Sequence, residues 1–237
     1  MLLTPIGACM SNKSEVLSAR LKAAYVGCYE APRAAALSGV PVATVYGWAR
    51  TGILEPSVSP TRIKLWSYAD LMALRIVYWL RHPKTGHSGE VPASPMSNVR
   101  WALDELEQRR LDIWADSTKQ QGSPLRVTVS GEIILMDEVD VIQQGTQQAL
   151  PGMLNLLGPF DYGESKAPDL LRPRPHLCIV PGKVSGEPHI EGSRITSQVI
   201  AALYNRTRSV QTISEMYPGF STVHFEEAVD LERSLAA

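Results

Sequence analysis

Residues 33–50 read RAAALSGVPVATVYGWAR and indicate the fold of the N-terminal part of the chain. Two short helical stretches stand on either side of a Ser-Gly turn, which is the spacing of a helix-turn-helix. Gly39 can take the left-handed backbone that such a turn often needs. Pro41 suits the first turn of a second helix, because its missing N–H would be unpaired there anyway. The apolar residues predicted to share the inward face of the second helix are Val42, Val45 and Ala49.

The residues that follow complete a winged helix. After a helix stop at residues 51–56, residues 62–66 alternate basic and apolar side chains, as a half-buried strand beside DNA would. Ser67 and Asp70 then form a capping-box-like start for a longer helix. The side chains predicted to face inward from that helix are Leu71, Leu74, Val77 and Tyr78. The predicted order is therefore helix, turn, helix, wing, helix.

Residues 25–82 resemble the DNA-binding domain of the MerR family. The family shares this order, the small-residue turn, the stretch RTGILEP at residues 50–56 and the SYADL start of the last helix at residues 67–71. The resemblance implies binding to operator DNA, and a homodimer would suit a palindromic operator. This chain departs from the family at Tyr46 and Gly47, where basic residues are usual, so the recognition helix carries less positive charge than expected.

The resemblance also implies which side chains would contact DNA. The candidates on the groove-facing helix are Thr44, Tyr46 and Arg50. The candidates for backbone phosphates are Arg33, Arg62 and Lys64. Between residues 29 and 82 six basic side chains stand against three acidic ones, which is a modest local excess. The alternative is a helix-turn-helix kept for protein contacts, in which Arg62 and Lys64 are only solvated wing residues.

Residues 83–157 form a predicted middle region. The Gly-, Ser- and Pro-rich residues 84–95 predict a linker or long loop. An amphipathic helix is predicted over residues 98–114, and it is a candidate dimer element because a dimer helix follows the winged helix in MerR-like proteins. Its predicted apolar face consists of Val99, Leu103, Leu106 and Ile113. Residues 125–137 predict a β-hairpin around a Ser-Gly turn, and a weaker helix is predicted over residues 139–150.

The end of the chain predicts a second helical unit. Residues 158–175 are rich in Pro and Gly and predict a connector. Residues 186–195 read GEPHIEGSRI and predict a tight loop that needs glycine and enters a helix. Three helices are predicted at residues 196–205, 210–217 and 221–235. The predicted fold class is thus mainly α with small β elements, closed by a helix-turn-helix-like three-helix module at residues 176–237.

The stretch GEPHIEGSRI resembles the signature Gly-x-Pro-x-Ile-x-Gly-Ser/Thr-Arg-Ile of a small bacterial family, and residues 176–235 fit that family throughout. Its members occur as antitoxins of the VapB kind, beside toxins with a PIN-type ribonuclease domain. The resemblance implies an antitoxin of a type II toxin-antitoxin system, which binds such a toxin directly and represses its own operon.

A PIN-type ribonuclease holds divalent metal ions with clustered carboxylates, and an inserted guanidinium can block such an acidic pocket. Arg172 and Arg174 in the connector are therefore the candidate toxin-binding residues. An ordinary solvated basic loop is the alternative for both.

Composition limits the remaining function classes. The 237 residues are 44% hydrophobic and 20% charged, with a formal net charge of −1, so we expect two ordinary cores and no global attraction to nucleic acid. The three cysteines have no C-x-x-C spacing, which favours a reducing cytoplasm and neither a metal site nor a cofactor. No apolar run reaches the length of a membrane span, so we expect no membrane association.

No constellation of catalytic residues stands out. The five histidines form no H-E-x-x-H pair, and the chain has no phosphate-cradling or nucleophile-elbow motif, so we expect that it is not an enzyme. The alternative to an antitoxin is a ligand-responsive MerR-like transcriptional regulator without a toxin partner, in which the middle region senses a small molecule.

Overall fold

The computed structural model describes residues 24–86, 89–109, 125–128, 130–136, 141–143, 149–150, 157–162 and 165–236. Within these ranges the protein is mainly α with small β elements, as the sequence predicts. Its α-helices are α1 (Ala31–Ser38), α2 (Val42–Arg50), α3 (Tyr68–Leu80), α4 (Met96–Gln108), α5 (Ser197–Thr207), α6 (Val210–Met216) and α7 (Thr222–Ala236). Among the described residues, no helix combines the length and the apolar character that crossing a bilayer requires.

The strands are short and pair antiparallel. They are β1 (Tyr29–Glu30), β2 (Leu65–Trp66), β3 (Lys84–Gly86), β4 (Gly89–Val91), β5 (Leu125–Thr128), β6 (Ile133–Met136), β7 (Val141–Gln143), β8 (Ala149–Leu150), β9 (Phe160–Tyr162), β10 (Ser165–Ala167), β11 (Leu177–Cys178) and β12 (His189–Ile190). Eight of them form four two-stranded sheets, and β7, β6, β5 and β8 form one four-stranded sheet in that order.

The winged helix (residues 24–82) has the predicted order. Gly39 ends α1 with φ +81°, and its N–H donates to the Ala35 carbonyl, so the turn uses the left-handed backbone that glycine allows. The capping box of α3 is present, because the Ser67 Oγ accepts from the Asp70 N–H while the Asp70 carboxylate accepts from the Ser67 N–H.

The wing (residues 57–64) is mostly a loop. A strand was predicted over residues 62–66, but only Leu65 and Trp66 are in a strand, and they pair with Glu30 and Tyr29 of β1. Ser59 and Leu65 exchange two backbone hydrogen bonds of 3.1 and 2.9 Å across the base of the wing. Residues 61–63 beyond that bridge are exposed, and among the described strands none pairs with them to extend β2.

Helix α3 is the centre of the N-terminal core. All of its residues are buried, and not only the predicted inward face, because the other elements of the same core surround it. The guanidinium of Arg75 lies inside this helix packing and is fully buried. It donates to the carbonyls of Leu37 at 2.9 Å, Gly158 at 2.8 Å and Pro168 at 2.6 Å. Burial lowers the pKa of Arg75 to about 9, so the group is still charged at neutral pH.

Residues 158–175 were predicted to be a connector, but they contain a β-hairpin that packs against α3. Strands β9 and β10 form a hairpin there, and Phe160 is buried against the Tyr78 ring and the Arg75 guanidinium. The segment is therefore part of the N-terminal core. The reason is long-range packing: the carbonyls of this segment are acceptors for a buried cation on α3, which no local pattern reveals.

The middle region keeps the predicted helix and hairpin. The hairpin pairs Leu125 with Leu135 and Val127 with Ile133. The weaker helix predicted at residues 139–150 is wrong, since β7 and β8 lie there and cover the two edges of the hairpin. The loop predicted at residues 84–95 likewise contains the β3–β4 hairpin.

Helix α4 is shorter than predicted among the described residues, and its apolar face is already covered. Val99, Ala102 and Leu106 are buried, and the helix packs against β6 of the same chain. This face is therefore not free to serve as the predicted dimer element. Ile113, which was predicted to extend it, lies outside the described residues.

The C-terminal module (residues 176–236) consists of the three predicted helices and the β11–β12 pair. Its core is separate from the N-terminal one. The fully buried members of that core are Leu177, Ile190, Ile200, Ile213, Phe225, Ala228 and Leu231.

Replacement of Arg75 by alanine tests the role of the buried cation. The variant leaves two buried carbonyls and one partly buried carbonyl without their donor, so we expect the free energy of unfolding to fall by about 3–5 kcal/mol in urea titrations. Arg81→Ala, at the end of the same helix, removes one hydrogen bond to the Ser94 carbonyl and should cost about 1 kcal/mol. Equal losses in the two variants would contradict a special role for Arg75.

Candidate nucleic-acid interface

Helix α2 presents one face to solvent. Val45, Trp48 and Ala49 are buried on the other side. The exposed side has two ridges at i, i+4 spacing, one formed by Val42, Tyr46 and Arg50 and the other by Ala43, Gly47 and Thr51. We call these six residues the α2 face. Val42 was predicted to pack inward but is 43% exposed, because it is the first residue of the helix and precedes the turn that reaches the core.

Gly47 is an unusual residue for the middle of a helix. Glycine there costs about 1 kcal/mol relative to alanine. A Cβ added at Gly47 would have no neighbouring atom within 4 Å, so nothing in the part of the chain that the structure describes excludes a side chain. The position is therefore open towards solvent, and its lack of a side chain permits a close approach of a partner to the helix backbone.

The predicted DNA-binding residues of α2 and the wing lie at the surface to different degrees. Tyr46, Arg50 and Arg62 are exposed, whereas Thr44 is half-buried. Lys64 is also half-buried, and its ammonium group donates to the Pro60 carbonyl at 3.0 Å, within the wing. Beside it, Ile63 is 64% exposed. Tyr46 and Arg50 share one ridge of the α2 face, and Arg62 belongs to the separate wing.

Arg33 occupies a different environment from the one predicted. Its side chain is 11% exposed. Its two terminal nitrogens donate to the Glu232 carboxylate at 2.9 and 2.8 Å, and its Nε donates to Glu187 at 2.9 Å. The guanidinium is held by two carboxylates inside the molecule, which corrects its assignment to a DNA phosphate.

Arg33 is one part of a contact between the winged helix and the C-terminal module, which we call the clamp (Tyr29, Arg33, Gly186, Glu187 and Glu232). The Tyr29 hydroxyl donates to the Gly186 carbonyl at 2.7 Å. Gly186 has φ +83°, and a Cβ there would lie 2.2 Å from the Tyr29 oxygen, so both backbone conformation and space require glycine. Glycine and glutamate of the GEPHIEGSRI stretch therefore have a docking role within this chain.

Charge in the clamp is largely desolvated. Burial lowers the pKa of Arg33, but the hydrogen bonds with Glu232 and the charge of Glu187 outweigh it, so the pKa lies above its ordinary value. Burial raises the pKa of Glu187 by more than the charge of Arg33 lowers it. The Ser197 hydroxyl also donates to Glu232. Sequence reasoning missed Glu187 and Glu232, which lie more than 150 positions from Arg33.

Two clefts adjoin these contacts. One of about 550 Å³ opens beside the clamp, where Pro32 and Ala36 of α1 face Gln198 of α5 and Leu235 of α7. The other, of about 430 Å³, is lined by Lys166, Arg172 and Arg174 among other residues.

The two predicted toxin-binding arginines form surface ion pairs. Arg172 donates to Glu191 at 2.6 Å, with both side chains about half exposed. Arg174 donates to Asp230 at 2.8 Å and to the Ser234 hydroxyl at 3.1 Å. Arg172 also donates to the Pro175 carbonyl at 2.6 Å and Arg174 to the Pro173 carbonyl at 2.7 Å, so both guanidinium groups lie at the surface with several partners each.

Comparison with protein families gives one match. The family described as a protein of unknown function, DUF433, matches residues 179–230. This span includes Gly186 and Glu187 of the clamp, helices α5 and α6 and the first part of α7. No curated protein and no solved structure gives a match. The winged helix lies outside the matched span.

The clamp predicts unequal effects of two arginine substitutions. Arg33→Ala leaves two partly buried carboxylates, which are 17% and 15% exposed, without their cation, so we expect a loss of about 2–3 kcal/mol in the free energy of unfolding. Hydrogen exchange should accelerate at the Cys28 amide, which donates to the Ser185 carbonyl across the same junction. Arg172→Ala removes an exposed ion pair and should cost less than about 1 kcal/mol. Unchanged exchange in Arg33→Ala would refute the clamp.

Proposed function

We propose that this protein is the antitoxin of a type II toxin-antitoxin system. Its winged helix binds operator DNA and represses its own operon, and its C-terminal half binds and neutralises a PIN-domain ribonuclease toxin. DNA binding is supported mainly by the α2 face. This face lies on the second helix of the helix-turn-helix and is open to solvent beside an exposed wing. We place the protein in a reducing cytoplasm, which would keep the thiols of Cys28 and Cys178 reduced.

Charge on the winged helix supports contact with phosphates. Arg33 and Arg75 are held inside the molecule, which leaves Arg50 and Arg62 as exposed cations on the second helix and the wing. Helix α2 has no acidic residue that would repel a phosphate. With Lys64 as a further wing cation, these groups supply the sequence-independent part of binding.

DNA binding is tested with a labelled fragment from upstream of the gene. Arg50→Ala and Arg62→Ala should each weaken binding about tenfold, or ~1.4 kcal/mol, and each should reduce the slope of log K against log salt by about 1. Arg206→Ala removes an exposed cation of the C-terminal module and serves as the matched control, with unchanged affinity. If all three variants bind like the parent, the winged helix is not the DNA-binding surface.

The antitoxin part rests on the C-terminal half. The stretch that resembles VapB-type antitoxins coincides with the DUF433 match. Arg172 and Arg174 line a cleft at the surface, where they form ion pairs with Glu191 and Asp230 respectively. Such pairs are worth at most about 1 kcal/mol, so the acidic metal pocket of a ribonuclease can compete for the two guanidinium groups.

Toxin neutralisation is tested by co-expression with the product of the adjacent gene, followed by co-purification and a ribonuclease assay. The parent protein should form a stable complex and suppress cleavage. Arg172→Ala combined with Arg174→Ala should restore cleavage while DNA binding is unchanged, because both lie outside the winged helix. Arg62→Ala should do the reverse. Full inhibition by the double variant would exclude these two arginines as the inhibitory contact, and absence of any complex would remove the antitoxin proposal.

A second candidate is a ligand-responsive regulator without a toxin partner. The observation that favours it is the cleft of about 550 Å³ between the winged helix and the C-terminal module, which is within the size range of small-molecule sites. This candidate predicts a ligand-dependent rise in melting temperature in the absence of any toxin. For both candidates we propose a homodimer on a palindromic operator, which light scattering at micromolar concentration tests.

A further inference from the structure

The α2 face has little hydrogen-bonding capacity for reading bases. From Val42 to Ala49, the helix has no Arg, Lys, Asn or Gln, which are the residues that make paired hydrogen bonds to guanine or adenine. Arg50 at the last position is the one such residue in the helix. At its N-terminal end, where a recognition helix contacts base edges, the face presents the methyl groups of Val42 and Ala43.

Only one base offers a matching group in the major groove. The C5-methyl of thymine is the apolar group there, and aliphatic side chains contact it in direct readout. Val42 and Tyr46 are 43% and 48% exposed although both are large and apolar, so the face has apolar surface that the fold itself does not bury.

Gly47 provides an independent observation on the same face. It weakens the helix, and no contact within the described structure requires it, since a Cβ would meet nothing within 4 Å. A missing side chain at the centre of the face allows the helix backbone to come close to base edges, which short side chains such as Ala43 need in order to reach them.

We propose that the α2 face recognises a thymine-rich major groove through the methyl groups of thymine, with Arg50 and the wing cation Arg62 on the phosphates. This inference rests on the proposed DNA-binding function. Duplex DNA is favoured over a protein partner as the occupant because the face has no acidic residue and Arg50 continues its apolar ridge.

The first experiment selects bound duplexes from a random-sequence library and then replaces dT by dU in the selected sequence. This substitution removes the methyl group and keeps every hydrogen-bonding group of the base. We expect selection of thymine-rich sites and a loss of affinity of roughly fourfold for each contacted methyl group. Selection of guanine-rich sites, or equal affinity for the dT and dU duplexes, would overturn the inference and leave the proposed DNA binding intact.

Protein variants assign the effect to the α2 face. Val42→Thr changes a methyl to a hydroxyl at nearly constant shape, and it should reduce the difference between the dT and dU duplexes. The matched control is Val223→Thr, an exposed valine near the start of α7, which should keep that difference unchanged. Gly47→Ala should raise the melting temperature by a few degrees and yet weaken DNA binding.

Two further outcomes distinguish a failure of the proposed DNA binding from a failure of the inferred thymine recognition. If no duplex is bound at any salt concentration, the proposed function fails, and the inference fails with it. If Tyr46→Ala changes the oligomeric state while the affinity for the dT duplex is unchanged, the face binds a second copy of this chain instead of DNA, and the inference alone is overturned.

Discussion

The buried ion pairs of Arg33 are the constraint on which the arrangement of the protein depends. A guanidinium that is almost removed from water needs anionic partners, and these come from Glu187 in a loop and Glu232 on α7. Meeting that need brings the C-terminal module against α1. Gly186 allows this approach, because its missing side chain makes room for the Tyr29 hydroxyl. Two cores that are separate in sequence are thereby joined by one charge cluster.

Elements set by neighbouring residues could be predicted from the sequence. The turn at Gly39, the capping box of Ser67 and Asp70 and the three C-terminal helices depend on residues at most a few positions apart. Tyr46 and Arg50 are exposed on α2 as helical spacing predicts, but Thr44, predicted to face the groove, is half-buried. Val42 is the second departure, since spacing alone does not show where along a helix the core ends. Val42 lies at that end and is exposed.

Elements set by distant residues could not be predicted. Arg33 has the sequence features of a surface cation, and only its partners more than 150 positions away make it internal. The segment at residues 158–175 has the composition of a connector, yet its carbonyls satisfy Arg75. In both cases a cation on one helix requires hydrogen-bond acceptors from a segment that is distant in the sequence. No periodic pattern in that segment indicates this requirement.

The clamp also affects how binding at the C-terminal module is related to binding at the α2 face. Moving the C-terminal module away from α1 breaks the ion pairs of Arg33 and the hydrogen bond from Tyr29 to Gly186, although the separated charges then regain contact with water. A partner that binds the C-terminal module without touching the clamp leaves these contacts in place. Because Arg33 lies on α1, one turn away from α2 in the chain, the α2 face then keeps its position relative to the bound partner. Under the proposed function, a toxin on the C-terminal module and an operator on the α2 face would be connected through the clamp, so the clamp is the contact through which one could influence the other.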